Sequence, residues 1–465
     1  MGIGPLVRMG VACHLPAMTI VALASGRGRA GVAVIRISGP AAGSLVEQMA
    51  GVVPAPRVAV RAALRDPRNG QVLDDGLVLW FPAPASYTGE DVAELHVHGG
   101  AAVLSAVLSA LCARQDVRIA EPGEFTRRAF LNGKLDLVQA EAVADLVDAE
   151  TEEQRRQAVG QLKGRLSAVY DSWRVRLRDA LAHLEAVIDF PDEELPEDLI
   201  SSIRQNLGEL LGEQTAHLED GRRGERLRDG LYVVIAGAPN VGKSSLLNAL
   251  ARRDAAIVSE RAGTTRDVVE VRLDLGGLPV IVADTAGLRE GRDEIESEGI
   301  RRALARAETA DLRIVMVEAS PAIKPDSRIR SLLDEDAMVV VNKIDLHEVA
   351  PGTRVEGRQV WPMSVTAGTG LDSFLDALEK RVERRMGRGE SPVITRERHR
   401  SSIEETAACL RRFMAGSENG EMTNARLELV AEDLRLAART LGRVTGKIGV
   451  EELLDVVFRD FCIGK

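Results

Sequence analysis

The sequence predicts a multidomain fold of class α/β plus α. A β-rich α+β domain comes first, followed by an all-α helical bundle into which an α/β domain is inserted. Three observations predict this. Short runs of alternating apolar residues, punctuated by Gly and Pro, fill the stretch from Thr19 to Val97. The β-branched run Leu231–Gly237 enters a glycine-rich turn and leaves it with helical spacing. Long apolar stripes of helical period stand on both sides of that segment, with no strand signal among them.

A chain of 465 residues is too long for one core, so two or three domains are expected. Hydrophobic content of 45% and charged content of 28% are ordinary for a globular protein. The net charge of −10 argues against a protein that coats nucleic acid, although basic clusters can form a local patch. Cys13, Cys112, Cys409 and Cys462 are scattered with no CxxC, which points to a reducing cytoplasm without a disulfide framework or zinc site. No apolar run reaches membrane-spanning length, so no membrane association is expected. Residues 1–17 read as a disordered extension, with Met18 an alternative start. The expected boundaries are 18–134 for the N-terminal domain, 135–228 and 387–465 for the two helical parts, and 229–386 for the inserted domain.

Strands are expected over Thr19–Ala24, Val32–Ile37 and Gly76–Phe81. The Gly/Arg loop Ser25–Gly31 lacks GxGxxG spacing and opens a strand, so it is no dinucleotide fingerprint. Asp91–His98 alternates, placing Glu94, His96 and His98 on one face and Ala93, Leu95 and Val97 on the other. A half-buried strand with a polar outer face is favoured over a metal site, because His-x-His has no third ligand at a suggestive spacing. Ala101–Leu111 has helical period. From Leu135 one apolar stripe through Leu146 and Val147 continues as a helical pattern toward Phe190, and a further helix is expected over Glu197–Leu218. Gly221–Arg228 reads as a charged hinge. Beyond Gly389 three more helices are expected, over Arg400–Phe413, Ala425–Leu441 and Glu451–Phe461.

The central segment carries the chemistry. Gly237 to Ser244 fits GxxxxGK[ST] between a strand and a helix, the context of a phosphate-binding P-loop. Within Asn240-Val241-Gly242-Lys243-Ser244-Ser245, backbone N–H groups cradle phosphate, Lys243 reaches the β- and γ-phosphates, and Ser244 ligates Mg²⁺. Ser259-Glu260-Arg261-Ala262-Gly263-Thr264-Thr265 supplies a loop whose Thr265 hydroxyl completes the Mg²⁺ shell when a γ-phosphate is present. Asp284-Thr285-Ala286-Gly287 follows a strand, with a carboxylate to hold Mg²⁺ through water and a glycine N–H to sense the γ-phosphate. In Asn342-Lys343-Ile344-Asp345 the aspartate accepts two hydrogen bonds from guanine, which adenine cannot supply. Ser364-Val365-Thr366 stands where a base-backing motif is expected, in an atypical form. Four elements in this order predict a Ras-like GTPase domain that hydrolyses GTP.

Other segments carry a more specific signal. Ser86-Tyr-Thr-Gly-Glu-Asp91, His98-Gly-Gly100, Glu121-Pro-Gly-Glu-Phe-Thr-Arg127, Ala129-Phe-Leu-Asn-Gly-Lys134-Leu-Asp-Leu137, Gln139-Ala-Glu-Ala142 and Phe461-Cys-Ile-Gly-Lys465 follow one another in register. With the GTPase motifs they make a chain that resembles the MnmE/TrmE family of tRNA-modification GTPases from about Thr19 to Lys465. The resemblance implies a homodimer working with a flavin- and NADH-dependent partner of the MnmG/GidA type on carbon 5 of the wobble uridine of certain tRNAs. It also implies a 5-formyl-tetrahydrofolate-type donor, with Arg36, Glu94, Lys134 and Lys465 at the folate-contacting positions. Cys462 reads as a small apolar packer before it reads as a nucleophile. Arg155, Arg156, Lys163 and Arg165 read as a solvated face ahead of a tRNA-facing one. The alternatives are a regulatory switch, which needs neither a folate-type domain nor a Cys-Ile-Gly-Lys tail, and a ribosome-assembly GTPase, which would be expected to carry an appended RNA-binding module that is not recognisable here.

One usual part of the hydrolytic machinery is missing. Leu288 stands where many GTPases carry a glutamine that orients the attacking water, and leucine neither donates nor accepts. The resemblance assigns that role to Glu296, through a bridging water; taken alone, Glu296 is a solvent-facing helix acid. Arg289 is no arginine finger. The family also implies K⁺ beside the β- and γ-phosphates, held by Asn240, Ser259, Arg261 and Thr264 and acting when two GTPase domains pair. Read by itself, Asn240 is a residue tolerated in a tight turn.

Overall fold

The computed structural model describes residues 18–26, 28–189, 199–220, 222–253, 255–257, 270–284, 309–321, 323–325, 327–387, 393–417, 424–448, 451–459 and 461–464. They form two compact units, one up to Ala144 together with Thr445 onward, the other Asp145–Val444.

The first unit is built on a six-stranded sheet. Its strands are β1 (Thr19–Leu23), β2 (Ala33–Ser38), β3 (Val60–Arg65), β4 (Val72–Phe81), β5 (Val92–Val97) and β6 (Val117–Ile119), in spatial order β3-β4-β5-β2-β1-β6. All neighbours are antiparallel except β1 and β6. Period-2 alternation decides the faces. Ile35 and Ile37 of β2 and Ala93, Leu95 and Val97 of β5 turn to a core completed by helices α1 (Ala42–Ala50) and α2 (Ala101–Leu111). Arg36, Glu94 and His96 take the other face, where Ile20, Ala22, Ala120 and Phe125 form a smaller cluster with Tyr87. Helix α3 (Glu124–Leu131) leads to α4 (Leu137–Asp148), whose first turns bury Leu137 and Ala140 against Leu454, Phe458 and Phe461 of the C-terminal segment. That segment then pairs with the sheet domain: Ile463 bridges Pro122, and Gly123 N–H donates to the Cys462 carbonyl at 3.3 Å.

The second unit holds the helices α5 (Glu152–Leu162), α6 (Arg165–Asp189), α7 (Leu199–Leu218) and α8 (Arg223–Asp229), followed by the α/β domain. The stripe that reads as one long helical pattern from Leu135 to Phe190 is three helices. The first break is Thr151, whose side chain accepts from Gln154 N–H while Gln154 reaches back, a capping box that starts α5. The second is Gly164, at φ 79. The expected hinge at Gly221–Arg228 is largely the short helix α8, held by ion pairs from Arg226 to Asp311 and from Arg228 to Asp145.

The α/β domain has strands β7 (Leu231–Gly237), β8 (Glu270–Leu275), β9 (Leu278–Asp284), β10 (Leu312–Glu318), β11 (Ala337–Asn342), β12 (Arg354–Val355) and β13 (Arg358–Pro362), ordered β12-β13-β11-β10-β7-β9-β8. The five central strands are parallel, and the antiparallel pairs lie at the edges. Helices α9 (Lys243–Ala251) and α10 (Leu371–Met386) pack on the sheet through Leu246, Leu250, Phe374, Leu378 and Val382. Helices α11 (Glu397–Gly416) and α12 (Asn424–Thr445) follow, and α7 packs against both α6 and α11.

Candidate nucleotide and one-carbon sites

In an open parallel sheet, ligands bind beyond the carboxyl ends of the strands, and the sequence motifs gather there. β7 ends at Gly237 and α9 starts at Lys243, so residues 238–242 form the loop between them. Gly242 has φ 106, and a Cβ on it would lie 2.3 Å from the Asn342 amide nitrogen. Only glycine fits. The Lys243 ammonium is buried in the loop, donating to the carbonyls of Gly237 and Ala238 at 3.0 Å each. Burial pushes its pKa down, opposed by Asp284. Ser244 Oγ donates to Asp284 Oδ2 at 2.6 Å. Two hard oxygens thus converge at the N-terminus of α9, a donor set that suits Mg²⁺. Asn240 has φ 59, a left-handed conformation that Asn tolerates. The residue is exposed.

The segment Asn342–Asp345, expected to read guanine, is tied to the P-loop by one side chain. Asn342, 4% exposed, donates to the Val241 carbonyl at 2.8 Å and accepts from Val365 N–H at 3.1 Å. Lys343, at φ 66, pairs with Glu318 at 3.0 Å. Asp345 is exposed next to it. Ser364 is buried and shapes its own loop: its N–H donates to the Thr369 carbonyl, and its hydroxyl accepts from Ala367 N–H at 3.2 Å. The atypical Ser-Val-Thr segment therefore has a defined loop geometry whose backbone is tethered to Asn342. Glu318 and Thr369 were not legible as parts of this site, because neither lies in a motif. Ser259, Glu260, Arg261, Ala262, Gly263, Thr264, Thr265, Thr285, Ala286, Gly287, Leu288 and Glu296 lie outside the described residues.

On the outer face of the first sheet, Arg36 and Glu94 stand directly opposite on β2 and β5 and pair at 3.0 Å. Arg36 also sits 5.1 Å from the Tyr87 ring centroid and 5.7 Å from that of Phe125, within cation–π range. The second oxygen of Glu94 lies 3.5 Å from His96 Nε2, and His98 pairs with Asp74. Among the described residues no group of His, Cys, Asp and Glu is arranged to hold a metal. Lys134 donates to the Pro84 carbonyl at 2.9 Å. Gly464 packs on the Leu23 carbonyl, and Leu23 pairs with Ile35, the neighbour of Arg36. Cys462 is exposed. Lys465 lies outside the described residues. Arg155 and Arg156 pair with Glu152 and Glu153 on their own helix, the pattern of a solvated face.

Comparisons with known proteins agree with one another. Residues 19–134 match the family model for the GTP-binding protein TrmE N-terminus, and residues 137–462 that for the MnmE helical domain. The tRNA modification GTPase MnmE of Paramagnetospirillum magneticum is 55% identical over 448 residues, covering 96% of this chain and 99% of that protein. The proteins of the same description from Parvibaculum lavamentivorans and Rhodospirillum rubrum are 55% and 54% identical over 448 and 459 residues. Each alignment again spans 96% of this chain, and 100% and 99% of the respective relative.

Proposed function

The chain belongs to the MnmE family of tRNA modification GTPases, and on that premise we propose that its GTP hydrolysis gates modification of carbon 5 of the wobble uridine in certain tRNAs. It works in the cytoplasm as a homodimer, with an FAD- and NADH-dependent partner of the MnmG/GidA type. It installs a carboxymethylaminomethyl-type group using a formyl-tetrahydrofolate-type donor. The segment 229–386 is the inserted GTPase domain, flanked by helical parts 135–228 and 387–465. The observation that carries the hydrolytic part is the convergence of Lys243, Ser244 and Asp284 on one P-loop.

Lys243 neutralises charge on the β- and γ-phosphates, and Ser244 with Thr265 would hold Mg²⁺, which would supply further positive charge there. Asp345 reads guanine while Asn342 holds the P-loop and the Val365 backbone in register. Leu288 offers no polar atom for the attacking water, and Glu296 takes that role. Asn240, Ser259, Arg261 and Thr264 would hold K⁺, which would supply positive charge at the same phosphates when two GTPase domains pair. In the N-terminal domain, Arg36, Glu94, Lys134 and Lys465 hold the folate, and the Tyr87 and Phe125 rings support Arg36.

The test is GTP hydrolysis in matched NaCl and KCl buffers, with Asn240→Ala and Glu296→Ala alongside. Stimulation by K⁺ that Asn240→Ala abolishes, with Glu296→Ala inactive yet still binding GTP, is expected. Equal rates in both salts would remove the cation from the mechanism.

A further inference from the structure

Strand β9 carries Asp284 at one end and begins, at the other, just after the tight Gly276–Gly277 turn of the β8–β9 hairpin. Its seven residues, at ~3.3 Å each, make a rod about 20 Å long. Both turn glycines have positive φ, 61 and 88, and Gly277 N–H donates to Asp274 Oδ1 at 2.6 Å. The turn lies against the first turn of α5. There Glu153 N–H, one of the N-terminal donors a helix leaves without an internal partner, donates to the Gly277 carbonyl at 3.2 Å. Beside it, Arg272 of β8 pairs with Glu150 at 3.1 Å. The same segment also holds the entry to β7: Gln154 donates to the Arg228 carbonyl at 3.0 Å, and Arg228 pairs with Asp145 at 2.9 Å.

β7 and β9 are parallel neighbours with Ile235 opposite Asp284. The segment Asp145–Gln154 therefore grips, at one end of the sheet, the two strands whose other ends carry the P-loop and Asp284. We infer that Glu150, Arg272 and the Glu153–Gly277 contact are positioning groups for GTP hydrolysis. They fix how far β9 is advanced along β7, and so hold Asp284 within reach of Ser244. The same rod runs in the other direction, so the state of the nucleotide reaches the first turn of α5. This rests on the GTPase activity alone and does not depend on the tRNA, folate or K⁺ assignments. An axial slip of 1 Å is enough to disrupt a 2.6 Å hydrogen bond, and displacements of that size reduce catalysis by up to ~100-fold.

The test uses the full chain. Arg272→Gln and Glu150→Gln should each lower kcat for GTP about tenfold with KM changed less than threefold, because the phosphate and guanine contacts are untouched. The charge-exchanged pair Glu150→Arg with Arg272→Glu should recover kcat to within threefold of wild type. Arg155→Gln, on the solvent side of the same helical turn, should leave kcat unchanged. Amide hydrogen exchange at Glu153 in the wild-type protein should differ at least tenfold between the GDP-bound state and that with a non-hydrolysable GTP analogue. It stands as a readout even where a variant fails to fold. Folded single variants with wild-type kcat would overturn the inference, and so would equal Glu153 exchange in the two nucleotide states.

Discussion

Replacing Asn342 by alanine should damage nucleotide binding more than its distance in sequence from the P-loop suggests. The side chain is 4% exposed and joins two loops, donating to the Val241 carbonyl at 2.8 Å and accepting from Val365 N–H at 3.1 Å. Each such bond contributes about 1 kcal/mol net, and a buried partner left unmade costs about 1–3 kcal/mol. Removing both gives roughly 2–4 kcal/mol. On the proposed function the two loops hold the phosphates and back the base, so about 2 kcal/mol of it should appear in affinity. At 1.4 kcal/mol per decade that is a rise of about 30-fold in Kd for GDP. Titration with a fluorescent GDP analogue measures it. The same amide would stand 2.3 Å from a Cβ on Gly242. Gly242→Ala and Asn342→Ala should therefore combine less than additively, since the second removes the clash made by the first. A Kd within twofold of wild type for Asn342→Ala, or strict additivity of the pair, would refute this reasoning.

Three further outcomes are expected. Gly464→Ala places a methyl group against the Leu23 carbonyl at a left-handed φ of 100, so the C-terminal tail should loosen. Limited proteolysis after residue 445 should quicken, while GTP hydrolysis stays within twofold. Arg400 is buried, with Asp220 at 2.7 Å and Glu225 at 3.1 Å, and Arg400→Met leaves both carboxylates without it. About 3–5 kcal/mol should be lost, seen as a fall in Tm of roughly 10 °C. Burial, reinforced by Arg400 and opposed by Asp220, holds the His217 pKa below its usual value. A depressed folded-state pKa gives stability that is present above the unfolded value of about 6.5 and lost as pH falls. Chemical denaturation from pH 7.5 to 5.5 should show the wild type losing stability relative to His217→Phe, and a pH-independent difference would contradict the burial argument.

The parts that could be read in advance are those set by local pattern. Local pattern gave the strand around Ile35 and both the strand and its faces around Leu95, and the Gly237–Ser244 spacing gave the strand, loop and helix in order. The pairing of Arg36 with Glu94 spans 58 residues and depends on which strands become neighbours, which period alone does not state. Helix α8 was hidden for another reason. A seven-residue, arginine-rich segment has no stripe to detect, and partners at Asp145 and Asp311, distant in sequence, hold it. Ser364 could be read as part of a base loop from position, but its bond from Ala367 N–H follows from the fold of that loop.

The joining of Leu137 and Ala140 with Leu454, Phe458 and Phe461 has a consequence for biosynthesis. The first unit takes residues from before Asp145 and from after Val444, with 300 residues of a separate unit translated between them. At ~5–20 residues per second, the nascent N-terminal sheet waits about 15–60 s before its last hydrophobic partners leave the ribosome. Meanwhile the apolar start of α4 is uncovered and the carbonyl of Leu23 lacks the tail that packs on it. The intervening unit has all its own strands and helices once Val444 is made, roughly 0.5–3 s before Leu454 to Phe461 at the same rate. Order of synthesis therefore makes the GTPase-bearing unit the earlier to mature and the sheet domain the later, a sequence of events in which a chaperone that shields apolar surface would act on the amino-terminal end.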